Sequence, residues 1–135
     1  MSRPILSVEA VDVAYGSAKA LHGVSMAVAA GEMVFIAGRN GAGKTTLLRT
    51  VAGFLPRAAG TVRFDGRDLG GLPPERVARR GIRYVAQDKR VFGRLTVREN
   101  IELAAHVAGE RIDEAVARIV AVYPPMERFL DGMAG

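Results

Sequence analysis

Apolar and polar side chains alternate along this chain with two different periods, and the changes of period mark out strands and helices. In "ILSVEAVDVAYG", residues 5–16, near-strict alternation predicts a strand, with Val8, Ala10, Val11 and Val13 competing for its buried face. "LHGVSMAVAAGE" predicts a second strand, closed by Gly31. "MVFIAG", residues 33–38, is a continuous apolar run ended by glycine, the form of a strand buried on both faces as in parallel sheets. From Lys44 the period becomes helical, with Leu47, Leu48 and Val51 on one side and Gly53 as the C-terminal stop.

Further on, "GTVRFDG" predicts a short strand between glycines. "PPERVARR" predicts a helix that opens on prolines, with Glu75 in its first turn and Arg79 and Arg80 in its last, each sign matching the helix dipole. "GIRYVAQ", residues 81–87, returns to strand. Thr96 and Glu99 have the spacing of a capping box, opening a helix through Ile101, Ala104, Ala105 and Ala108 to Gly109. Ile112, Val116, Ile119 and Val120 share one face of a last helix, ended by Pro124 and Pro125. Early strands, an alternating middle and a helical tail imply one α/β domain with subregions rather than two independent domains.

Composition narrows the classes. At 135 residues, with 49% hydrophobic and 24% charged side chains, the chain has the make-up of a globular domain with a core of its own. It has no cysteine, which removes disulfides and thiolate metal sites and fits a reducing compartment. The longest stretch without Lys, Arg, Asp or Glu, Ala20–Gly31, is well short of the ~20 apolar residues of a membrane helix. "MSRPILSVEA" lacks the apolar core of a secretion signal, so the cytoplasm is the expected location. A net charge of +5 raises nucleic acid as a partner, but the arginines are scattered and no aromatic residues interleave with them, which disfavours it.

The chemistry concentrates in "FIAGRNGAGKTTLLRTVAG", residues 35–53. Gly38, Gly43, Lys44 and Thr45 satisfy the G-x-x-x-x-G-K-[ST] pattern between a predicted strand and a predicted helix, the context in which it has physical meaning. Glycines let successive N–H groups curl toward phosphate oxygens, and the helix N-terminus adds its positive end. Lys44 then supplies a mobile charge for the β- and γ-phosphates, and the Thr45 hydroxyl is placed for Mg²⁺. A chance match in a chain this short is on the order of one in a few hundred, so a nucleoside triphosphate is the expected ligand. Guanine-specific enzymes add an N-K-x-D element, which does not occur here; the run from Asp68 to Gly71 has only the form of a turn.

At these residues the chain resembles the ATP-binding subunits of ABC transporters. "VAYGSAKALHGVSMAVAAGE", "GRNGAGKTTLLRTVAGFLPRAAGTVRFDGRDL" and "YVAQDKRVFGRLTVREN" occur in that family's order and spacing, and "LPPERVARRGIRYV" and "LTVRENIELA" are similar to the branched-chain amino acid and urea importer type. The resemblance implies a P-loop NTPase (RecA-like) core with an N-terminal antiparallel β subregion and the start of a helical subdomain. Its parts would be residues 1–31, 32–87 and 88–135, the N-terminal portion of a single domain.

It further implies that Tyr15 stacks on adenine, and that Gly38, Arg39, Asn40, Gly41, Ala42, Gly43, Lys44, Thr45 and Thr46 surround the phosphates. Gln87 matches the glutamine that reaches Mg²⁺ and the attacking water, joining Thr45 at the metal. Where relatives carry proline and glycine at this loop, the run here is Ala86-Gln87-Asp88-Lys89; Asp88, Lys89 and Arg90 read as solvated. His22 and His106 match no catalytic position.

The family also hydrolyses ATP with a signature sequence, an apolar strand ending in Asp-Glu and a switch histidine. None of these occurs within the 135 residues, so the chain reads as the front part of a longer ATPase that binds ATP and Mg²⁺ without turnover and carries no catalytic residue itself. The implied partners are membrane permease subunits and a second ATP-binding subunit, identical or different, with the protein peripheral on the inner face of the membrane and not touching cargo. Two other readings stay open: a soluble ATPase of the same family, which would carry a second glycine loop, and a basic nucleic-acid-binding module.

Overall fold

A computed structural model describes residues 3–88 and 91–135, so the reading of Lys89 and Arg90 lies outside the described residues; Asp88 is exposed. The chain divides into two compact units, Met1–Val85 and Ala86–Gly135.

The first unit is built on a four-stranded antiparallel sheet in the order β2-β1-β3-β4, with β1 Leu6–Tyr15, β2 Ala18–Val28, β3 Ala59–Phe64 and β4 Arg67–Asp68. Tyr15 pairs with Ala18 across a two-residue turn, Gly16-Ser17, whose first residue has φ +59, the position where a primed hairpin turn calls for glycine. Asp65 and Gly66, with φ of 48 and 73, make the same kind of tight reversal between β3 and β4.

Strict alternation would place Val8, Ala10 and Asp12 on one face of β1. Instead Val8, Val11 and Val13 are buried and Ala10 is exposed. A bulge makes the difference: three steps from Val8 to Val11 oppose two from Met26 to Val24, with Ala10 at φ 47 as the extra residue. The N–H of Ala10 donates to Ser25 Oγ at 2.9 Å. Gly60 of β3 crosses at the bulge so closely that a Cβ there would sit on the Glu9 and Ala10 carbonyls. Further along, Gly23 is the extra residue on β2, and its N–H donates to Asp12 Oδ1 at 2.6 Å.

Helix α1, Lys44–Val51, lays Leu47 and Val51 on the sheet, in a core with Val8, Val11, Val13, Leu21, Val62, Leu69 and Val77. Each fully buried valine contributes about 1.5–3 kcal/mol from apolar surface withdrawn from water. The helix ends on Gly53, φ 83, with Gly53 N–H to Thr50 O at 3.1 Å and Phe54 N–H to Arg49 O at 2.8 Å, the paired bonds of a Schellman cap. A Cβ on Gly53 would come within 2.9 Å of Val77 Cγ2, which ties this cap to α2, Pro74–Arg79.

Two predicted strands are corrected. Residues 33–38 and 81–87 belong to no strand, and Met33, Val34, Phe35 and Val85 are exposed; Ile36 and Ile82 pack at the core margin. An apolar run becomes a strand only where a neighbour exchanges N–H···O bonds with it, and no described residue does so here. The predicted antiparallel β subregion, by contrast, is the sheet just described.

In the second unit α3, Val97–Ala108, opens on the predicted capping box: Thr96 Oγ1 accepts from Glu99 N–H at 3.1 Å and Glu99 Oε2 accepts from Thr96 N–H at 2.7 Å. Asn100 clasps the preceding turn through both backbone groups of Phe92, at 2.9 and 3.0 Å. Helix α4, Ile112–Val122, is followed by a 3-10 turn, Pro124–Phe129, and a Thr96–Met133 bridge closes the unit.

Candidate functional site

The glycine loop enters α1 through Gly43, whose φ of 98 lies in the left-handed region. A Cβ at Gly43 would come within 2.7 Å of Leu21 Cδ2 and 3.1 Å of the Ala20 carbonyl, so the missing side chain is what lets the loop rest on β2. Gly41, φ 83, is open on all sides, and a Cβ at Gly38 would meet Ala42 Cβ at 3.3 Å. The loop closes on itself once through its backbone, from Ala42 N–H to Arg39 O at 3.1 Å.

The first helical bond of α1 runs from Leu47 N–H to Gly43 O at 2.9 Å. The N–H groups of Lys44, Thr45 and Thr46 therefore precede the ladder, no side chain caps them, and the first turn holds no acidic residue. An N-terminus with free donors, no competing carboxylate and a glycine-lined approach suits a polyanion. Lys44 Nζ is already turned into the loop, donating to Gly38 O at 2.6 Å and Arg39 O at 2.8 Å. Those carbonyls hold the ammonium inside the loop, and a phosphate oxygen would be a stronger acceptor than either.

Among the other residues singled out from the sequence, Arg39 and Asn40 are exposed on the loop, Thr45 is exposed in the first turn of α1 and Thr46 is half-buried. Tyr15, 50% exposed at the tip of β1, meets Thr46 directly: their hydroxyls stand 3.3 Å apart. Gln87 lies in the second unit, exposed in a bend. Leu21 and Ala20 as the floor of the loop, and the Tyr15–Thr46 contact, had no signal in the sequence, because each joins segments separated by a turn of the fold rather than by a period.

Electrostatics supports the hairpin that carries Tyr15. A hydrogen bond from Lys19, then one from Gly23 N–H, hold the Asp12 carboxyl below its usual range, with the ammonium 2.9 Å away. Asp68 is lowered similarly, first by Gly70 N–H and further by Arg57. Among the described residues no helix is long and apolar enough to cross a membrane, and no cluster of His, Asp or Glu could by itself hold a metal.

Known proteins resemble this chain in sequence and in fold. The sequence profile of the family described as ABC transporter matches residues 21–131. The high-affinity branched-chain amino acid transport ATP-binding protein BraG of Pseudomonas aeruginosa is 38% identical over 133 residues, covering 97% of this chain and 57% of that protein. BraF of the same organism is 39% identical over 106 residues, covering 78% and 42%, and LivG of Escherichia coli K12 is 37% identical over 106 residues with the same coverage. The chain thus spans about half the length of these relatives. Among solved structures, a nucleotide-free ATP-binding cassette from an ABC transporter superposes with a TM-score of 0.82 at 28% identity, covering 98% of this chain and 58% of that one. An ATP-binding cassette in its ADP conformation gives 0.81 at 27% identity, covering 99% and 59%. The fold is therefore that of an incomplete P-loop NTPase domain, α/β with an antiparallel sheet at its N-terminal side, and the chain belongs to the ABC transporter family.

Proposed function

We propose that this chain is the nucleotide-binding portion of the energy-coupling subunit of an ABC importer for branched-chain amino acids or a related small polar solute. Three relatives named for branched-chain amino acid transport support that cargo class, and the open N-terminus of α1 behind Gly43 is the observation that carries the nucleotide assignment. In this reading the N–H groups from Gly38 to Thr46 and the Lys44 ammonium bind the triphosphate, Tyr15 covers adenine, and Arg39 and Asn40 form the outer lip of the loop. The Thr45 hydroxyl would hold Mg²⁺, which when bound would draw electron density from the phosphate oxygens. Residues 1–31, 32–87 and 88–135 are successive parts of one ATP-binding domain.

The whole protein would hydrolyse ATP beside permease subunits and a second ATP-binding subunit, peripheral on the inner face of the membrane. Within these 135 residues no apolar strand ends in Asp-Glu, so the chain by itself binds MgATP without turnover. Titration calorimetry tests the reading. The chain should take up MgATP at one site, Lys44→Ala should weaken it by about 10–100-fold through loss of a charge-assisted contact, and phosphate release should stay at background. Absence of binding heat from folded protein, or equal affinity in Lys44→Ala, overturns it.

A further inference from the structure

The hydroxyl of Tyr15 is not needed to stack on a base, since a ring face suffices, yet it meets the Thr46 hydroxyl at 3.3 Å across 31 residues of sequence. The ring is half exposed, so burial does not force the two groups together. Two other features hold them in place. The Gly16-Ser17 turn fixes the tip of β1, and Gly43 seats the loop on Leu21 of the neighbouring strand. Thr46 is further fixed from below, where its carbonyl accepts from Thr50 Oγ1 at 2.8 Å.

We propose that the Tyr15 and Thr46 hydroxyls form a catch that sets the aromatic ring against the phosphate loop before nucleotide arrives and couples base recognition to phosphate recognition. The inference rests on the reading above, in which Tyr15 covers adenine and Thr46 faces phosphate. A hydroxyl has one proton to give and lone pairs to receive. Between the two hydroxyls either oxygen can be the donor. A phosphate oxygen near Thr46 settles the direction: Thr46 donates to the anion and Tyr15 donates to Thr46, a two-bond chain whose members polarise each other. Ring placement and phosphate contact then become favourable together. Tyr15 is on this account a positioning residue as well as a stacking surface, with Thr46 as its anchor.

The test is a double-mutant cycle on the 135-residue chain, read by titration with MgATP and with magnesium tripolyphosphate. Tyr15→Phe keeps the ring and should weaken MgATP about three- to tenfold, the range of one neutral hydrogen bond. In a Thr46→Val background the same change should have no effect, whereas Thr46→Ser should restore it. Tyr15→Phe binding as tightly as the parent, or losing the same factor with Val at 46, overturns the catch. The stacking reading fails separately: Tyr15→Ala would then weaken MgATP no more than tripolyphosphate. If Tyr15→Ala is defective and Tyr15→Phe is not, stacking stands and the catch falls. A nucleotide-free measurement decides the contact even without binding, since in threonine-methyl-labelled chain the Thr46 resonance should move in Tyr15→Phe. An unmoved resonance refutes the catch.

Discussion

At the scale of the residue, the glycines of the loop do different jobs although the motif treats them alike. Gly41 and Gly43 both have positive φ, 83 and 98, so a side chain at either carries a left-handed cost of about 1–2 kcal/mol. Only Gly43 also lies against a neighbour, with Leu21 Cδ2 at 2.7 Å and the Ala20 carbonyl at 3.1 Å from a Cβ built there. The leucine tip can swing aside but the carbonyl belongs to β2 and cannot, so overpacking adds about 1–3 kcal/mol. Gly43→Ala should therefore lower unfolding free energy by about 2–5 kcal/mol and lift the loop from its floor, with loss of MgATP binding. Gly41→Ala should cost only the backbone term. Denaturant titration and calorimetry on the two variants separate these cases, and equal losses would show that strain alone governs the loop.

At the scale of the element, what the sequence revealed was what local physics decides. The start of α1 at Lys44, the capping box at Thr96 and the proline start of α2 are set by residues a few positions apart, and each stands where its pattern put it. The buried face of β1 was not legible. Choosing Val11 over Ala10 depends on a bulge stabilised by Ser25 and allowed by Gly60, partners 15 and 50 positions away. The runs at 33–38 and 81–87 failed for the opposite reason, since their composition fits a central strand and a strand's existence depends on its neighbours.

The irregular hairpin also gives a pH dependence. Asp12 bonds to Lys19 and to the Gly23 N–H freed by the second bulge, and both interactions need the carboxylate. Its folded pKa lies below the ordinary 3.8, so its contribution is fully present above that value and is lost as pH falls through the lowered one. Asp12→Asn should melt below the parent at about pH 7, with the gap narrowing as the pH is taken down below 3.8. A gap that stays constant with pH would show that Asp12 acts through shape and not through charge.

At the scale of the whole molecule, the exposed apolar side chains are not evenly spread. Met33, Phe35 and Val85 are 78%, 85% and 91% exposed, and the backbones of residues 33–38 and 82–87, where they sit, make no backbone–backbone hydrogen bond among the described residues. Apolar side chains beside unpaired N–H and C=O groups form a template for another chain. Opposing this is a net charge of +5, which repels a second copy only over the Debye length, about 10 Å at 0.1 M salt and about 3 Å at 1 M. Self-association should accordingly rise with concentration and with salt, the reverse of an association held by ion pairs. Sedimentation equilibrium should show weight-average mass climbing between about 0.1 and 1 M salt, and Met33→Lys with Val85→Lys should hold the chain monomeric across that range. A parent chain that remains monomeric at high salt would mean that these segments satisfy their backbones with water and leave the apolar side chains too sparse to draw two copies together.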